Sequence, residues 1–343
     1  MANRSSDKPS SITILDVARE AGVSYSTVSR VLSGYEFVKD ETRQRVQDAA
    51  QRLGYVVNQQ ARSLAGGKSN VIGLLVPGLD NGYISEIARG IDEEIVRLGY
   101  DLLLYTTRRD LNREASYVLK LTKGLADGLL LVVPLLTPAY IQTLQHYDFP
   151  YVLIDQSDPS NRSSVVDCTN WQGAYDATRY LIDLGHRRIG LITGLMGLNS
   201  AVERLEGYRA ALLDHEIPFD PALVAEGDFW QAKGYQAAQK LLQLSPLPTA
   251  IFASNDLSAF SAMEVVRDAG LSVPDDISVM GFDDIPQASL VYPRLTTVRQ
   301  PLDQMGRVAV RMLVDRIETA QAAPRRVTLS TNLVIRDSCR PIK

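Results

Sequence analysis

Apolar residues between Ile14 and Leu32 recur at helical spacing in two short bursts separated by Gly22. Ile14, Val17, Ala18 and Ala21 line one face of a first helix, and Val28 and Leu32 one face of a second, with Val23 between them. Thr13 and Asp16 have the spacing of a capping box, and Ser24 is placed to cap the second helix. Tyr25, Ser26, Ser29 and Arg30 are left facing outward. Two short helices with a polar outer face on the second are the helix-turn-helix unit, which lays its second helix in the DNA major groove. A third helix is expected over 41–53 with Asp40 as its cap.

From residue 71 the pattern changes. Continuous apolar runs at 71–77, 101–105, 128–134 and 151–155 have the character of buried parallel strands, with helices expected at 84–98 and 113–125. A second series, at 188–194, 250–254 and 278–284, alternates with helices near 171–184, 201–215, 231–243 and 257–269. Strand and helix in alternation predict two doubly wound α/β halves behind an all-α headpiece.

Charge is distributed to match. The chain has a net charge of −4, yet residues 1–70 hold ten Lys/Arg against seven Asp/Glu and the remainder 26 against 33. A basic end on an acidic body confines phosphate attraction to the headpiece. Two cysteines, Cys168 and Cys339, rule out a disulfide scaffold, and with three histidines they offer no zinc-ligand spacing. No metal or other cofactor is expected. His146, His186 and His215 lie in polar surroundings and are expected at the surface. Residues 1–11 are polar and are expected to form a disordered leader, and no stretch is apolar for long enough to span a membrane. A reducing cytoplasm is the expected compartment. There is no G-x-G-x-x-G after a strand, no phosphate-loop lysine and no G-x-S-x-G elbow, so enzyme readings find little support.

The run Ile14–Leu32, followed by Val38-Lys-Asp-Glu-Thr-Arg, Leu53-Gly-Tyr-Val-Val-Asn and Gln59-Gln-Ala-Arg-Ser-Leu-Ala-Gly-Gly, closely resembles the headpiece and hinge of the lactose-repressor (LacI/GalR) family of bacterial transcription regulators. Gly90-Ile-Asp-Glu-Glu, Leu184-Gly-His-Arg-Arg-Ile-Gly, Arg204-Leu-Glu-Gly-Tyr, Ser254-Asn-Asp, Val279-Met-Gly-Phe-Asp-Asp and Leu295-Thr-Thr-Val extend the resemblance through the body. It implies a type I periplasmic-binding-protein-like body at 69–343, a headpiece at 12–57 and a hinge helix with linker at 58–68. It also implies chain exchange between the halves near 160–166, 292–298 and about 325, so that 69–163 with 298–325 form one half and 164–297 with 326–343 the other.

Carried over by position, Tyr25, Ser26 and Arg30 are the base-contacting residues, Arg30 being suited to bidentate contact with guanine. Ser24, Ser29, Ser33, Thr42 and Tyr55 are placed for phosphates. In the hinge, Asn58, Ala61, Arg62, Leu64 and Ala65 face the minor groove, with Leu64 the wedge at a central base step. An eight-residue segment is too short to be a stable helix alone, which couples its folding to operator binding.

Ligands of open α/β sheets bind beyond the carboxyl ends of the strands. Asp155, Asn255 and Asp283 follow predicted strands, and Arg204 opens the helix after 188–194. With Phe229 and Tyr83 these are the expected effector contacts, since carboxylates, an amide and a guanidinium hydrogen-bond sugar hydroxyls. The alternative for each polar residue is a helix cap or a salt bridge. Trp230 is a weaker candidate. Asn81-Gly82-Tyr83-Ile84 lacks one aromatic of the family's usual Asn-Pro-aromatic-aromatic run, and Val132-Val133-Pro134 leaves the pocket floor apolar. The expectation is a homodimeric repressor of a palindromic operator, switched by a sugar or sugar derivative. The runner-up is a solute-binding protein for sugar transport, which residues 12–58 argue against.

Overall fold

The computed structural model describes residues 12–32, 35, 37–55, 68–135, 138–156, 158, 162–319 and 323–342. Ser33 and all five hinge residues, Asn58, Ala61, Arg62, Leu64 and Ala65, lie outside them, as does the leader. Contacts divide the chain into two units between Ser69 and Asn70.

The first unit has helices α1 (Ile14–Ala21), α2 (Tyr25–Leu32) and α3 (Asp40–Leu53). Asp16 accepts from the Thr13 amide at 2.9 Å and from its hydroxyl at 2.8 Å, and these bonds hold its carboxyl below the ordinary range. Gly22 ends α1 in the left-handed conformation at φ 63°, turning the chain toward α2. Ser24 then caps α2, its Oγ accepting from Thr27 N at 3.2 Å. Asp40 does not cap α3 as expected. It is the first residue of that helix, where a carboxylate favours the positive end of the helix dipole. Val17, Val28, Val46 and Ala49 are fully buried between the three helices.

The second unit carries two six-stranded sheets. The first contains β1 (Val71–Val76), β2 (Asp101–Thr106), β3 (Gly128–Val132), β4 (Tyr151–Ile154), β5 (Ser164–Cys168) and, near the end of the chain, β11 (Arg326–Leu329). The second contains β6 (Ile189–Ile192), β7 (Val224–Ala225), β8 (Ala250–Ala253), β9 (Ser278–Asp283), β10 (Thr296–Arg299) and β12 (Asn332–Val334). Their orders, β2-β1-β3-β4-β5-β11 and β7-β6-β8-β9-β10-β12, are the same doubly wound pattern twice, all parallel except for β10 with β12.

Helices α4 (Gly82–Leu98), α5 (Leu111–Leu121) and α6 (Pro138–His146) belong to the first half. The second half has α7 (Asn170–Asp183), α8 (Asn199–Asp214), α9 (Gln231–Leu242) and α10 (Asp256–Asp268). A long α11 (Leu302–Glu318) returns to the first half.

Alternation within buried strands sorts the layers. Ile72, Leu74 and Val76 face α4 and α11, whereas Leu75 faces the other side with Val118, Leu121 and Tyr140. Two glycines of the resemblance motifs permit helices to touch backbone to backbone. A Cβ on Gly90 would lie 2.0 Å from Asp303 O of α11, and one on Gly207 of α8 would lie 2.2 Å from Trp171 O of α7.

The points of exchange differ from those expected. β5 and β11 pair with each other in the first sheet, so the chain crosses at 169, 300–301 and 330–331, several residues later than expected at the first and third crossings. The three crossings are tied together. Thr169 N donates to Leu329 O at 3.0 Å, Thr331 N donates to Thr169 Oγ1 at 2.9 Å, and Cys168 Sγ donates to Gln300 Oε1 at 2.9 Å.

His186 also differs from expectation: it is buried, not at the surface. Its ring lies 3.0 Å from Thr249 Oγ1, 3.1 Å from Ser278 Oγ and 3.2 Å from Arg340 O, pinning the C-terminal segment to the second sheet. Burial lowers its pKa.

Candidate functional site

In the headpiece, Val28 and Val31 point α2 into the core, which leaves Tyr25, Ser26 and Arg30 exposed on the opposite face. Tyr25 is 49% exposed, so its ring is not a packing element of the fold. The Arg30 guanidinium lies over the Tyr35 ring at 5.7 Å from its centroid. Ser24 and Ser26 share a hydroxyl contact of 2.8 Å at the helix start. Ser29, Thr42 and Tyr55 are half-buried, and Tyr55 also packs on the headpiece core.

In the second unit, Tyr83, Asp155, Arg204, Phe229, Asn255 and Asp283 all line one chamber between the halves, together with Pro77, Asn81, Ile84, Arg109 and Val133. Asn81 caps α4 through Ile84 N at 2.8 Å and thereby aims Tyr83 across the chamber, where its hydroxyl donates to Asp155 Oδ2 at 2.8 Å. From the second half, Arg204 enters in the second turn of α8. Its Nε donates to Asn170 Oδ1 at 2.9 Å and its Nη1 to Ser254 O, while Asp283 Oδ1 lies 3.8 Å from Nη1. The guanidinium stacks on Phe282 at 3.7 Å and lies 5.6 Å from the Phe229 ring centroid. Asn255 caps α10 through Ser258 N at 3.1 Å and donates to Phe229 O at 3.0 Å. Both open alternatives, cap and salt bridge, are therefore realised at residues that also face the chamber.

Charge is packed tightly here. Burial raises the Asp155 carboxyl against the pull of Arg204, and burial pushes Asp283 up to about 7 against the same arginine. Behind Asp283, the buried Asp256 is raised well above the carboxylate range by burial and by the Asp283 charge. It accepts from Thr297 Oγ1 and, at 2.9 Å, from Ile285 N, so it serves the fold and not the chamber. Gln300 joins site to crossover, donating to Asp283 Oδ1 at 2.7 Å.

The backbone is strained around the same space. Val133, Asp155, Phe229 and Asp283 have φ of 47°, 54°, 72° and 127°, a conformation that is a genuine outlier for a β-branched valine. The Phe229 ring lies over Gly194 so closely that a Cβ there would sit 1.9 Å from Cζ.

Inside, the free volume is about 40 Å³. A wider vestibule of about 760 Å³ adjoins it, sharing Pro77 and Arg109 and walled by Trp230. Trp230 thus belongs to the mouth and not to the chamber. Arg109, Asn81 and Val133 were missed from the sequence. Each follows or ends a first-half strand, so the strand-end rule applied to β1, β2 and β3 would have found them.

A family model for the bacterial regulatory proteins of the lacI family matches residues 13–58, and one for the periplasmic binding protein-like domain matches 178–339. The HTH-type transcriptional repressor PurR of Haemophilus influenzae is 34% identical over 334 residues, covering 96% of this chain and 99% of the relative. The chain belongs to the LacI family. Catabolite control protein A of Priestia megaterium is 34% identical over 304 residues, 88% of this chain and 91% of its own length. Among solved structures, a lac repressor dimer bound to operator and an anti-inducer superposes with a TM-score of 0.83 at 30% identity, over 96% of this chain and 99% of that one. A transcriptional regulator in complex with cellobiose, CelR, gives 0.73 at 35% identity, over 95% of this chain and 99% of that one.

As a LacI-family protein the chain is a DNA-binding transcription regulator with a helix-turn-helix headpiece and a periplasmic-binding-protein-like body, and not an enzyme. The headpiece match sets aside a transport role. No helix among the described residues is long and apolar enough to cross a membrane, and no group of His, Cys, Asp or Glu among them has the arrangement of a metal site.

Proposed function

We propose that the chain is a cytoplasmic repressor that binds a palindromic operator as a homodimer and is switched by a sugar or sugar derivative held between the two halves of its body. The observation that carries the switch is the bond network spanning the chamber. Tyr83 bonds Asp155 in the first half, Arg204 bonds Asn170 and faces Asp283 in the second, and the Asp155–Asn170 side-chain bond joins the two sets around a free volume of about 40 Å³. That space holds water but not a sugar ring. An effector therefore enters only if the halves separate, and its hydroxyls then replace the protein's own partners at Asp155, Arg204, Asn255 and Asp283. A ligand that favours one arrangement of the halves shifts the other's population by its differential affinity, typically ~1–3 kcal/mol.

On the DNA side, Tyr25, Ser26 and Arg30 read bases from the exposed face of α2, and Ser24, Ser29, Ser33, Thr42 and Tyr55 fix its register on phosphates. The hinge residues Asn58, Ala61, Arg62, Leu64 and Ala65 enter the minor groove. Dimerisation is supported by an apolar surface on the second half, where Tyr292 is 96% and Leu290 79% exposed beside Phe260, Met263 and Val291. A second copy of the chain is the occupant we assign to it, the lac repressor that the chain resembles being itself a dimer.

The test is selection of duplexes from a random library by the full chain, followed by operator titration with a panel of sugars and nucleosides. Recovery of a two-fold symmetric site whose affinity a panel member changes supports the reading. A binder with no sequence preference, or a preferred site without two-fold symmetry, would overturn it.

A further inference from the structure

We propose that the effector carries a negatively charged group, a carboxylate or a phosphate ester, and that Arg109 selects for it at the junction of chamber and vestibule. This rests on the reading of the cleft as the effector site.

Arg109 is the second guanidinium of the cleft, and its circumstances differ from those of Arg204. Arg204 is neutralised in place by Asp283 and held by two further acceptors. Arg109 has no carboxylate within ion-pair distance among the described residues. Of its five N–H donors it commits one, from Nη1 to the Asp228 carbonyl at 2.6 Å. Asp110, next in the chain, and Asp228, across the cleft, each have other partners. Asp110 accepts from Asn112 N and Arg113 N at the start of α5, and Asp228 Oδ1 accepts from Trp230 N at 2.9 Å. The guanidinium also stacks on the Trp230 indole at 5.2 Å, which fixes its plane.

The position is held at a cost. Arg108 and Arg109 both adopt left-handed backbone, at φ 54° and 53°, which non-glycine residues seldom do once and here do twice in succession. Burial lowers the Arg109 pKa against the opposing charge of Asp228, so the cation is partly desolvated and only partly offset. A half-buried cation of this kind is unfavourable alone and favourable once an anion arrives, and a planar fork matches carboxylate or phosphate oxygens in bidentate fashion. The vestibule of about 760 Å³ gives such a group room that the chamber does not. Arg108 lines the vestibule beside Arg109, and together the two guanidiniums balance the carboxylates of Asp80 and Asp228 that also line it.

The experiment is calorimetric or thermal-shift binding to the full chain, at constant ionic strength, of matched sets: glucose, glucuronate and glucose 6-phosphate; ribose and ribose 5-phosphate; cellobiose and cellobionate. The expected result is that an anionic member binds at least tenfold more tightly than its neutral parent. Arg109→Gln removes that preference and Arg109→Lys restores part of it. The carboxylate and phosphate arms tell the two sources apart. The inference is overturned if no anionic member binds better than its parent, or if Arg109→Gln leaves the preference unchanged. Arg204→Lys separates this failure from that of the cleft reading. An anionic member whose binding is lost in Arg204→Lys but unchanged in Arg109→Gln overturns the role of Arg109 alone, whereas an anion bound by both variants as by the wild type places the site outside the cleft.

Discussion

The recognition face of the headpiece and the chamber of the body use polar side chains in opposite ways. Tyr25, Ser26 and Arg30 stand outside a core made by Val17, Val28, Val46 and Ala49, and the fold would form without them. In the body, Arg204 and Asp283 are 2% and 3% exposed, and their bonds join α8 to β9, the segment after β8 and the second crossover. Function at the DNA face is therefore separable from stability, while function in the chamber is made of the same bonds that hold the second half together.

The sharpest way to break this contrast is to truncate Arg204. Arg204→Ala leaves Asp283 without its cation and Asn170 and Ser254 without their donor, at an expected loss of about 3–5 kcal/mol in body stability. Denaturant unfolding of the full chain, followed by a probe in the body, measures it. A loss below about 1 kcal/mol would mean that the network contributes little to the fold.

Arg30→Ala tests the opposite half of the comparison. Specific operator affinity is expected to fall by roughly 1–3 kcal/mol with relaxed base choice at one position per half-site, while the unfolding midpoint moves by no more than ~0.5 kcal/mol equivalent. Equal weakening on all sequences would instead mark Arg30 as a phosphate contact.

A smaller effect sharpens the point that headpiece geometry, unlike its outer face, is stability. A Cβ on Gly22 meets no atom within 4 Å, so Gly22→Ala has only the left-handed φ of 63° to contend with. That costs about 1–2 kcal/mol, visible as a lowered headpiece melting temperature with the body transition unchanged.

The smallest net signal is pH dependence, because opposing groups dilute it. Asp283 has its folded pKa raised to about 7 from 3.8, so its contribution is fully present below about 4 and is lost as pH rises toward 7. His186, lowered from 6.5, works against it, losing stability as pH falls below that value. Glu94, lowered from 4.5 to about 2 by Arg311 and Arg97, acts only at more acid pH. The difference between wild type and Asp283→Asn isolates the first: wild type is expected to gain stability relative to the variant on going from pH 8 to pH 5. A parallel pair of curves would contradict the raised pKa.

Much of the architecture is legible in the sequence because buried parallel strands are unbroken apolar runs, as in Val71–Val76 and Gly128–Val132. Of the twelve strands in the described residues, five are not among those runs, and one of them, Ser164–Cys168, shows why the rest is not legible. It is buried throughout yet contains Ser164, Asp167 and Cys168, and Asp167 is matched by Arg326 of β11, which lies 159 residues away in the chain. Periodicity within a window cannot show such a partner, so the crossings taken from resemblance fall short of those in the structure. His186 is misread for the same reason, its partners Thr249, Ser278 and Arg340 being remote. The chamber residues at strand ends were within reach. Arg109 was within reach by the same rule, since it follows β2, but the half-buried pattern of that edge strand draws attention away from its end.

The late return of α11 and β11 has a consequence for synthesis. The first half encloses its core with Leu302, Met305, Val310 and Leu313, and completes its sheet with Arg326–Leu329. On the ribosome, therefore, residues 71–168 emerge long before the helix and strand that cover them, while nearly all of the second half is made in between. One face of the nascent first half thus stays only partly covered until residues 302–329 have been made, after nearly all of the second half.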